Sequence, residues 1–347
     1  MSLPPSPRPP VSPWQLFYAG AHRLRRRWYR TRARRLPRPV VSIGNLHWGG
    51  AGKTPLTAAV AAHLRDRGLA VCILSRGYGS QGQRGESVRV VSTGQGPLLG
   101  PRVAGDEPVL LAGEVPGVSI VVSPDRYRGG LHALERLPNR PDLFLLDDGF
   151  SHLALARDLD LVAFPAADPF GGGRLFPSGR LREPLEAIAR AHAVLLTGAA
   201  QPGDGAALAA ALQPFGFTGP GFSCPTRPAP ARFSGSGGSE LPAGTPVFLV
   251  SAIARPDGFT AAVRAQGFEI AGELRFPDHH PYPPESLDRI AAAFRTSGAA
   301  ALLATAKDRV KLQGRLPVDL PLAELPIRAE PEPPFWDWLG SAADRRR

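Results

Sequence analysis

Six short apolar runs, separated by helical patterns, constrain this chain more than any other feature. They are "PVVSI" (39–43), "AVCILS" (70–75), "VSIVVS" (118–123), "LFLLD" (143–147), "LDLVAF" (159–164) and "AVLLTG" (193–198). None alternates apolar with polar residues, so each suits a strand covered on both faces, as in a parallel sheet between layers of helices. Between the first two, "TPLTAAVAAHLRDRG" sets Leu56, Val60 and Leu64 at i, i+4 spacing, and Gly68 stops the helix. The expected fold is α/β, with the parallel-sheet domain over 37–205. A Gly/Pro/Ser-rich stretch (206–245) reads as a linker. A second, smaller α/β domain follows over 246–330, with "PVFLVSAI" (246–253), "EIAGELRF" (269–276) and "ALLATAKD" (301–308) as strands. Residues 331–347 read as a tail. A chain of 347 residues, 43% hydrophobic, is long enough for two cores.

"GNLHWGGAGKTP" (44–55) follows the first strand and opens the first helix. A phosphate loop has Gly, four residues, then Gly-Lys-Thr or Gly-Lys-Ser. Gly52-Lys53-Thr54 supply the second half, but His47 stands where the first glycine belongs. Lysine is scarce: 38 of the 41 basic residues are Arg, leaving Lys53, Lys307 and Lys311. A lysine kept in such a chain suggests a site that needs a compact ammonium group. Backbone N–H groups at the helix N-terminus would face phosphates, with Thr54 available to Mg²⁺. The competing reading is a glycine-rich turn with tight geometry alone. The sequence context favours phosphate binding and a P-loop NTPase-like domain.

The net charge of +11 lies at the ends. Residues 1–39 hold ten Arg and no acid, and Arg345, Arg346 and Arg347 add three, leaving the body near −2. A nucleic-acid binder would carry its basic stripe on the folded body, so no nucleic-acid partner is expected. In "WQLFYAGAHRLRRRWYRTRARR", Trp14, Phe17, Ala21, Leu24 and Trp28 share one helical face, and Arg23, Arg25, Arg26, Arg27 and Arg30 fill the remainder. The apolar part is too short for a membrane span, and its basic cluster follows the apolar segment, unlike a secretory signal. Residues 1–36 thus suit a basic amphipathic helix in an anionic membrane interface; the alternative is a core-packing helix with a solvated arginine face. Cys72 and Cys224 give neither metal spacing nor a disulfide framework, which suits a reducing compartment.

Asp147 and Asp148 close the run "LFLLDDGF", in the form of the acid that holds a nucleotide's metal; acids at strand ends also form turns. Asp106 in "AGDEP" could cap the helix "EPVLLAGEV". "FPDHHPY" carries Asp278, His279 and His280 in a proline-bounded loop, without the further ligands a zinc site needs.

The motifs "VSIGNLHWGGAGKTP", "LSRGYG", "GDEP", "DRYRGG", "DDGFSH", "PFGGGRLFPSGRLREP", "FPDHH" and "TAKDRVKL", in this order, resemble the tetraacyldisaccharide 4′-kinase family over about residues 12–328. The family's loop also begins Gly-Asn-Leu and lacks the early glycine, which accounts for His47. The chain departs from the family at Ser151 (usually Gln), Gly172 (often Asn), "SGRLREP" (usually "AGPLREP") and Ala306 (usually Glu).

The resemblance implies ATP- and Mg²⁺-dependent phosphorylation of the 4′-hydroxyl of a lipid-linked glucosamine disaccharide 1-phosphate. It places the enzyme peripherally at the cytoplasmic face of the bacterial inner membrane. Asn45, Gly49, Gly50, Ala51, Gly52, Lys53, Thr54 and Pro55 would bind ATP, and Thr54, Asp147 and Asp148 the metal. Lys53 and Arg126 would serve the transferring group. Asp106 and His279 match the family's Asp/His pair, and a weakly acidic sugar hydroxyl needs such a base. Arg76 is a candidate substrate contact, and Arg182 and Glu183 are candidate substrate or metal contacts. Two other classes compete: a P-loop GTPase or metallochaperone, although "TGAAQPGD" lacks the Lys-x-Asp of a guanine reader, and a membrane-associated regulator that binds nucleotide without turnover.

Overall fold

A computed structural model describes residues 13–29, 31–77, 88–235 and 238–344. The side chain of Trp14, Arg30, the end of "LSRGYG" and Arg345, Arg346 and Arg347 lie outside the described residues. Helix α1 (Pro13–Tyr29) precedes β1 (Val40–Asn45), α2 (Lys53–Asp66), β2 (Val71–Ser75), β3 (Arg89–Thr93), α3 (Pro101–Ala104) and α4 (Asp106–Glu114). Then come β4 (Ser119–Val122), α5 (Arg126–Arg136), β5 (Leu143–Asp147), β6 (Leu159–Pro165), β7 (Ala193–Thr197), α6 (Asp204–Leu212) and β8 (Gly221–Cys224).

These eight strands form one sheet in the order β3-β4-β2-β5-β1-β6-β7-β8, and only β3 runs antiparallel to its neighbour. Both faces are covered, as the uninterrupted apolar runs require. On one face Leu56, Val60 and Leu64 of α2 meet Ile43 and Leu145; on the other Leu36, Val40 and Leu74 meet Phe144 and Ala133 of α5. Strands β1 and β5 are adjacent and parallel, with Ile43 opposite Asp147. The glycine loop and the paired acids therefore leave the sheet side by side at the carboxyl ends of the strands, where open α/β sheets place ligands.

The chain continues through β9 (Thr226–Pro228), β10 (Arg232–Phe233), β11 (Pro246–Ser251), α7 (Pro256–Ala265), β12 (Glu269–Arg275) and α8 (Pro284–Ser297). It ends with β13 (Ala301–Thr305), α9 (Ala306–Leu312), β14 (Leu322–Leu325), β15 (Ile327–Ala329) and α10 (Pro333–Asp344). Five of these strands make a second sheet, β10-β14-β13-β11-β12. The remaining two, β9 and β15, pair antiparallel where the chain leaves for the second domain and where it returns.

Three boundaries differ from the sequence reading. The stretch 206–245 holds most of α6 and all of β8, an edge strand of the large sheet, so the first domain runs to about 224. Proline and glycine crowd there because the turns are tight. Residues 331–347 are no loose tail over their described part: Phe335, Leu339 and Ala342 of α10 are buried in the cluster that holds Leu56 and Phe222. "ALLATAKD" is a strand only to Thr305, whose side chain accepts from the Asp308 N–H and starts α9.

Helix α1 rests on the body through Tyr18, against the cluster of Phe170, Leu175 and Leu185, and Arg25 donates to the Ser151 carbonyl at 3.2 Å. The apolar stripe points elsewhere. Phe17, Leu24 and Trp28 are 68%, 71% and 57% exposed, and Ala21 is exposed with them. Packing against the core is thus not the use of these side chains.

Candidate active site

The loop after β1 explains its missing glycine. Residues 46–48 run extended beside 180–182: the Arg182 N–H donates to the Leu46 carbonyl (2.6 Å) and the Trp48 N–H to the Arg180 carbonyl (2.7 Å), around a His47–Leu181 bridge. His47 is buried edge-on against Phe164, and burial pushes its imidazole down to about 4, so it is a neutral wedge. The left-handed backbone comes later, at Gly49 (φ 93°) and Gly52 (φ 66°). A Cβ on Gly49 or Gly50 would meet nothing within 4 Å, which leaves open space over the loop, whereas one on Gly52 would press Thr197 at 3.1 Å. Thr197 donates to the Ala51 carbonyl at 3.0 Å and fixes the loop from below. Gly52 caps α2 without a side chain, so the first N–H groups of α2 face the space above.

Lys53 begins α2 and reaches back across the loop. Its Nζ donates to Asn45 Oδ1 at 3.0 Å and lies 3.3 Å from Asp148 Oδ1. Asp148, at φ 53°, also receives Arg182 Nη1 at 2.9 Å. Burial would raise its carboxyl, but Lys53 and Arg182 overcome this and hold it at about 2. Asp147 behaves oppositely. Burial, with Glu107 and Asp148 nearby, pushes it up to about 7. Thr57 donates to its Oδ1 at 3.2 Å, and its buried Oδ2 has no partner among the described residues.

The orphaned Asp147 carboxylate oxygen, ionised Asp148 next to it and Thr54 at the start of α2 offer hard-oxygen donors. They suit Mg²⁺, which keeps water and phosphate oxygens and needs only one or two carboxylates. No group of three or more His, Cys, Asp or Glu able to cage a metal occurs among the described residues. Arg126 is the first residue of α5, whose N-cap Asp125 accepts from the Tyr127 and Arg128 N–H groups. Burial, then Arg76, lowers its guanidinium to about 10 against the opposing pull of Asp148 and Asp147, so it remains cationic at neutral pH. Arg76 itself is exposed.

The second domain supplies the other wall. Asp106 begins α4 but caps nothing, because Gly105 holds the N-cap position and no side chain bonds there. Its Oδ2 lies 3.8 Å from His279 Nδ1 and 3.7 Å from Lys311 Nζ. The Asp106 carboxylate raises the imidazole of His279, which partial burial alone would lower. Next door, Lys307 donates to Glu107 at 2.6 Å across the domains. Glu107 in turn feels Lys53 and Asp148, so loop, acids and Asp/His pair share one electrostatic site.

Glu107, Asp308, Tyr282 and the two later lysines were not assigned from sequence; lysine scarcity had marked Lys307 and Lys311 without giving them a role. Glu183 is placed differently from Arg182. It is 2% exposed, its Oε1 accepts from Ser151 Oγ (2.5 Å) and its Oε2 from Arg190 (3.1 Å), so it braces the loop from beneath.

Known proteins resemble this chain over nearly its whole length. The model of the tetraacyldisaccharide-1-P 4′-kinase family (LpxK) matches residues 8–344. The chain belongs to this family. A tetraacyldisaccharide 4′-kinase of Geobacter metallireducens is 42% identical over 305 residues, covering 85% of this chain and 86% of the relative. One from Anaeromyxobacter dehalogenans is 44% identical over 288 residues, covering 82% and 75%. A crystal structure described as the "apo" form of LpxK from Aquifex aeolicus in complex with ATP superposes with a TM-score of 0.74 at 32% identity, covering 96% of this chain and 97% of that one. Membership in a kinase family displaces the GTPase and regulator alternatives.

Proposed function

We propose that this tetraacyldisaccharide 4′-kinase family member transfers the γ-phosphoryl group of ATP to the 4′-hydroxyl of a tetraacyl glucosamine disaccharide 1-phosphate, at the cytoplasmic face of the bacterial inner membrane. One observation supports the reading: Lys53 of the Gly-Lys-Thr loop and the Asp106/His279 pair across the two domains are linked electrostatically through Glu107 and Asp148. Phosphoryl transfer needs charge neutralisation and in-line placement more than covalent chemistry.

Asn45, Gly49, Gly50, Ala51, Gly52, Thr54 and Pro55 would surround the phosphates with Lys53, while the α2 N-terminus faces them. Lys53, released from Asp148 by the incoming phosphates, and Arg126 would balance the charge that develops on the transferring group. Thr54, Asp147 and Asp148 would hold Mg²⁺, which neutralises phosphate charge when bound. Asp106 and His279 would take the 4′-hydroxyl proton as a unit, and Arg182, stacked 4.8 Å over the Trp48 ring, would meet the acceptor. Glu183 would support that loop and Arg76 would lie at the acceptor rim.

No described helix is long and apolar enough to cross a membrane. The exposed stripe of α1 among its arginines suits a surface contact with anionic lipid, where the acyl chains of the acceptor reside. The test is ATP-dependent phosphorylation of a tetraacyldisaccharide 1-phosphate in detergent micelles by the purified chain. Absence of an ATP-dependent phosphorylated product would overturn the reading.

A further inference from the structure

All three lysines of a chain with 38 arginines end in the same charge network: Lys53 on Asp148, Lys307 on Glu107 and Lys311 on Asp106. The first faces the phosphates and the second ties α9 to α4. The third has no place in the reaction as described. Lys311 is buried, and an ammonium buried without partners would be strongly disfavoured. Its partners are complete: Nζ donates to the His280 carbonyl at 3.1 Å, lies 3.2 Å from Asp308 Oδ1 and 3.7 Å from Asp106 Oδ2, and sits 5.2 Å from the centre of the Tyr282 ring. One hydrogen bond to a carbonyl and two flanking carboxylates thus engage the ammonium within the protein. A guanidinium is planar and wider, and could not serve these three directions from one atom.

The far end of this network is rigid. Asp308 is wholly buried, and its carboxylate accepts from the Ala252 N–H (3.0 Å), Tyr282 Oη (3.0 Å) and Thr305 Oγ1 (2.7 Å). Asp308, Lys311 and His279 all belong to the second domain, and Lys311 and His279 both meet Asp106 on the first. We propose that Lys311 is a positioning residue for phosphoryl transfer: anchored on Asp308, its ammonium holds the Asp106 carboxylate of the opposite domain against His279. The proposal rests on the kinase reading above and deepens it. Its consequence is that Asp106 is oriented from two sides, by an imidazole that shares the proton and by a cation that does not.

The test is a double-mutant cycle in the micellar assay, with thermal melting and ATP affinity measured on every variant. Lys311→Gln, one atom shorter, keeps an N–H donor on the side chain while removing the charge. Its kcat should fall about tenfold with KM for ATP within about twofold of wild type. In an Asp106→Asn background the same substitution should cost less than about twofold more, because its target is gone. A wild-type kcat in Lys311→Gln, or an equal loss in both backgrounds, would overturn the proposal. Lys311→Met is made alongside; if neither variant melts cooperatively, Lys311 is a residue of the fold and the positioning role is refuted. Wild-type protein that yields no product would instead remove the kinase reading itself.

Discussion

Replacing Lys53 by Met tests the charge on which the site depends. Its side chain is 11% exposed and lies 3.3 Å from Asp148. At an effective dielectric of about 20, a unit charge pair at that distance attracts by about 5 kcal/mol. Solvent at the half-open cleft and the desolvation of both groups remove roughly half of that. A phosphate oxygen that takes the place of Asp148 therefore gains about 2.5 kcal/mol from Lys53. Where the gain grows with charge in the transition state, the loss is on the order of a hundredfold in kcat. Lys53→Arg should recover little, because Asn45 is 1% exposed and leaves no room for a planar head. The assay is transfer of labelled γ-phosphate to tetraacyldisaccharide 1-phosphate, with melting curves to show that α2 remains folded. A Lys53→Met enzyme within about threefold of wild-type kcat would refute the electrostatic argument, and with it the role of the loop.

Other outcomes follow from particular contacts. Asp106→Ala and His279→Ala should each lower kcat and leave ATP affinity nearly intact, and the double variant should be little worse than the poorer single; additive losses would show independent roles. Gly52→Ala places a Cβ 3.1 Å from Thr197 at φ 66°, so a cost of about 1–2 kcal/mol should appear in chemical denaturation; an unchanged midpoint would contradict the strained cap. The folded carboxyl of Asp148 lies at about 2, below the ordinary value of about 3.9, so its ion pairs stabilise above that ordinary value and the stabilisation is lost as pH falls through 2. The stability gap between wild type and Asp148→Asn should accordingly close in acid; a gap independent of pH would count against it. Removing residues 1–29 should abolish co-sedimentation with anionic vesicles and leave ATP affinity unchanged, whereas equal pelleting would locate the membrane contact elsewhere. The cut stops there because Arg34 and Arg35 pair with Asp125 and Asp158, both at 2.6 Å.

The central strands were legible because burial on both faces leaves an unbroken apolar run. "LFLLD" is β5 residue for residue, and "AVLLTG" overshoots β7 by only Gly198. Edge strands carry less of that signal. β3 starts with half-buried Arg89 and Val90, and β8 begins at Gly221 in a proline-rich stretch, so neither stood out. Helix α10 was missed for a different reason: Phe335 and Leu339 are buried against α2, a partner some 280 residues away, and a short aromatic segment does not announce such a contact. In the site, spacing revealed what one segment holds, such as Gly52-Lys53-Thr54. It did not reveal what two domains build together. Lys311 meeting Asp106 and Lys307 meeting Glu107 depend on α9 packing on α4, and only the low lysine count hinted that these residues mattered.

The pairing of β9 with β15 has a consequence for how the chain can be made. The second domain is inserted between the last strand of the large sheet and α10, and its entry and exit are hydrogen-bonded neighbours. A ribosome delivers Leu56 and Phe222 long before Phe335, so the first core stays open on its α2 side until the whole insert has emerged. The insert, with its own apolar layers on both sides of its sheet, can condense in the meantime. Completion of the first domain then waits for α10, and a chain stalled anywhere before residue 333 would present its glycine loop on an unfinished domain.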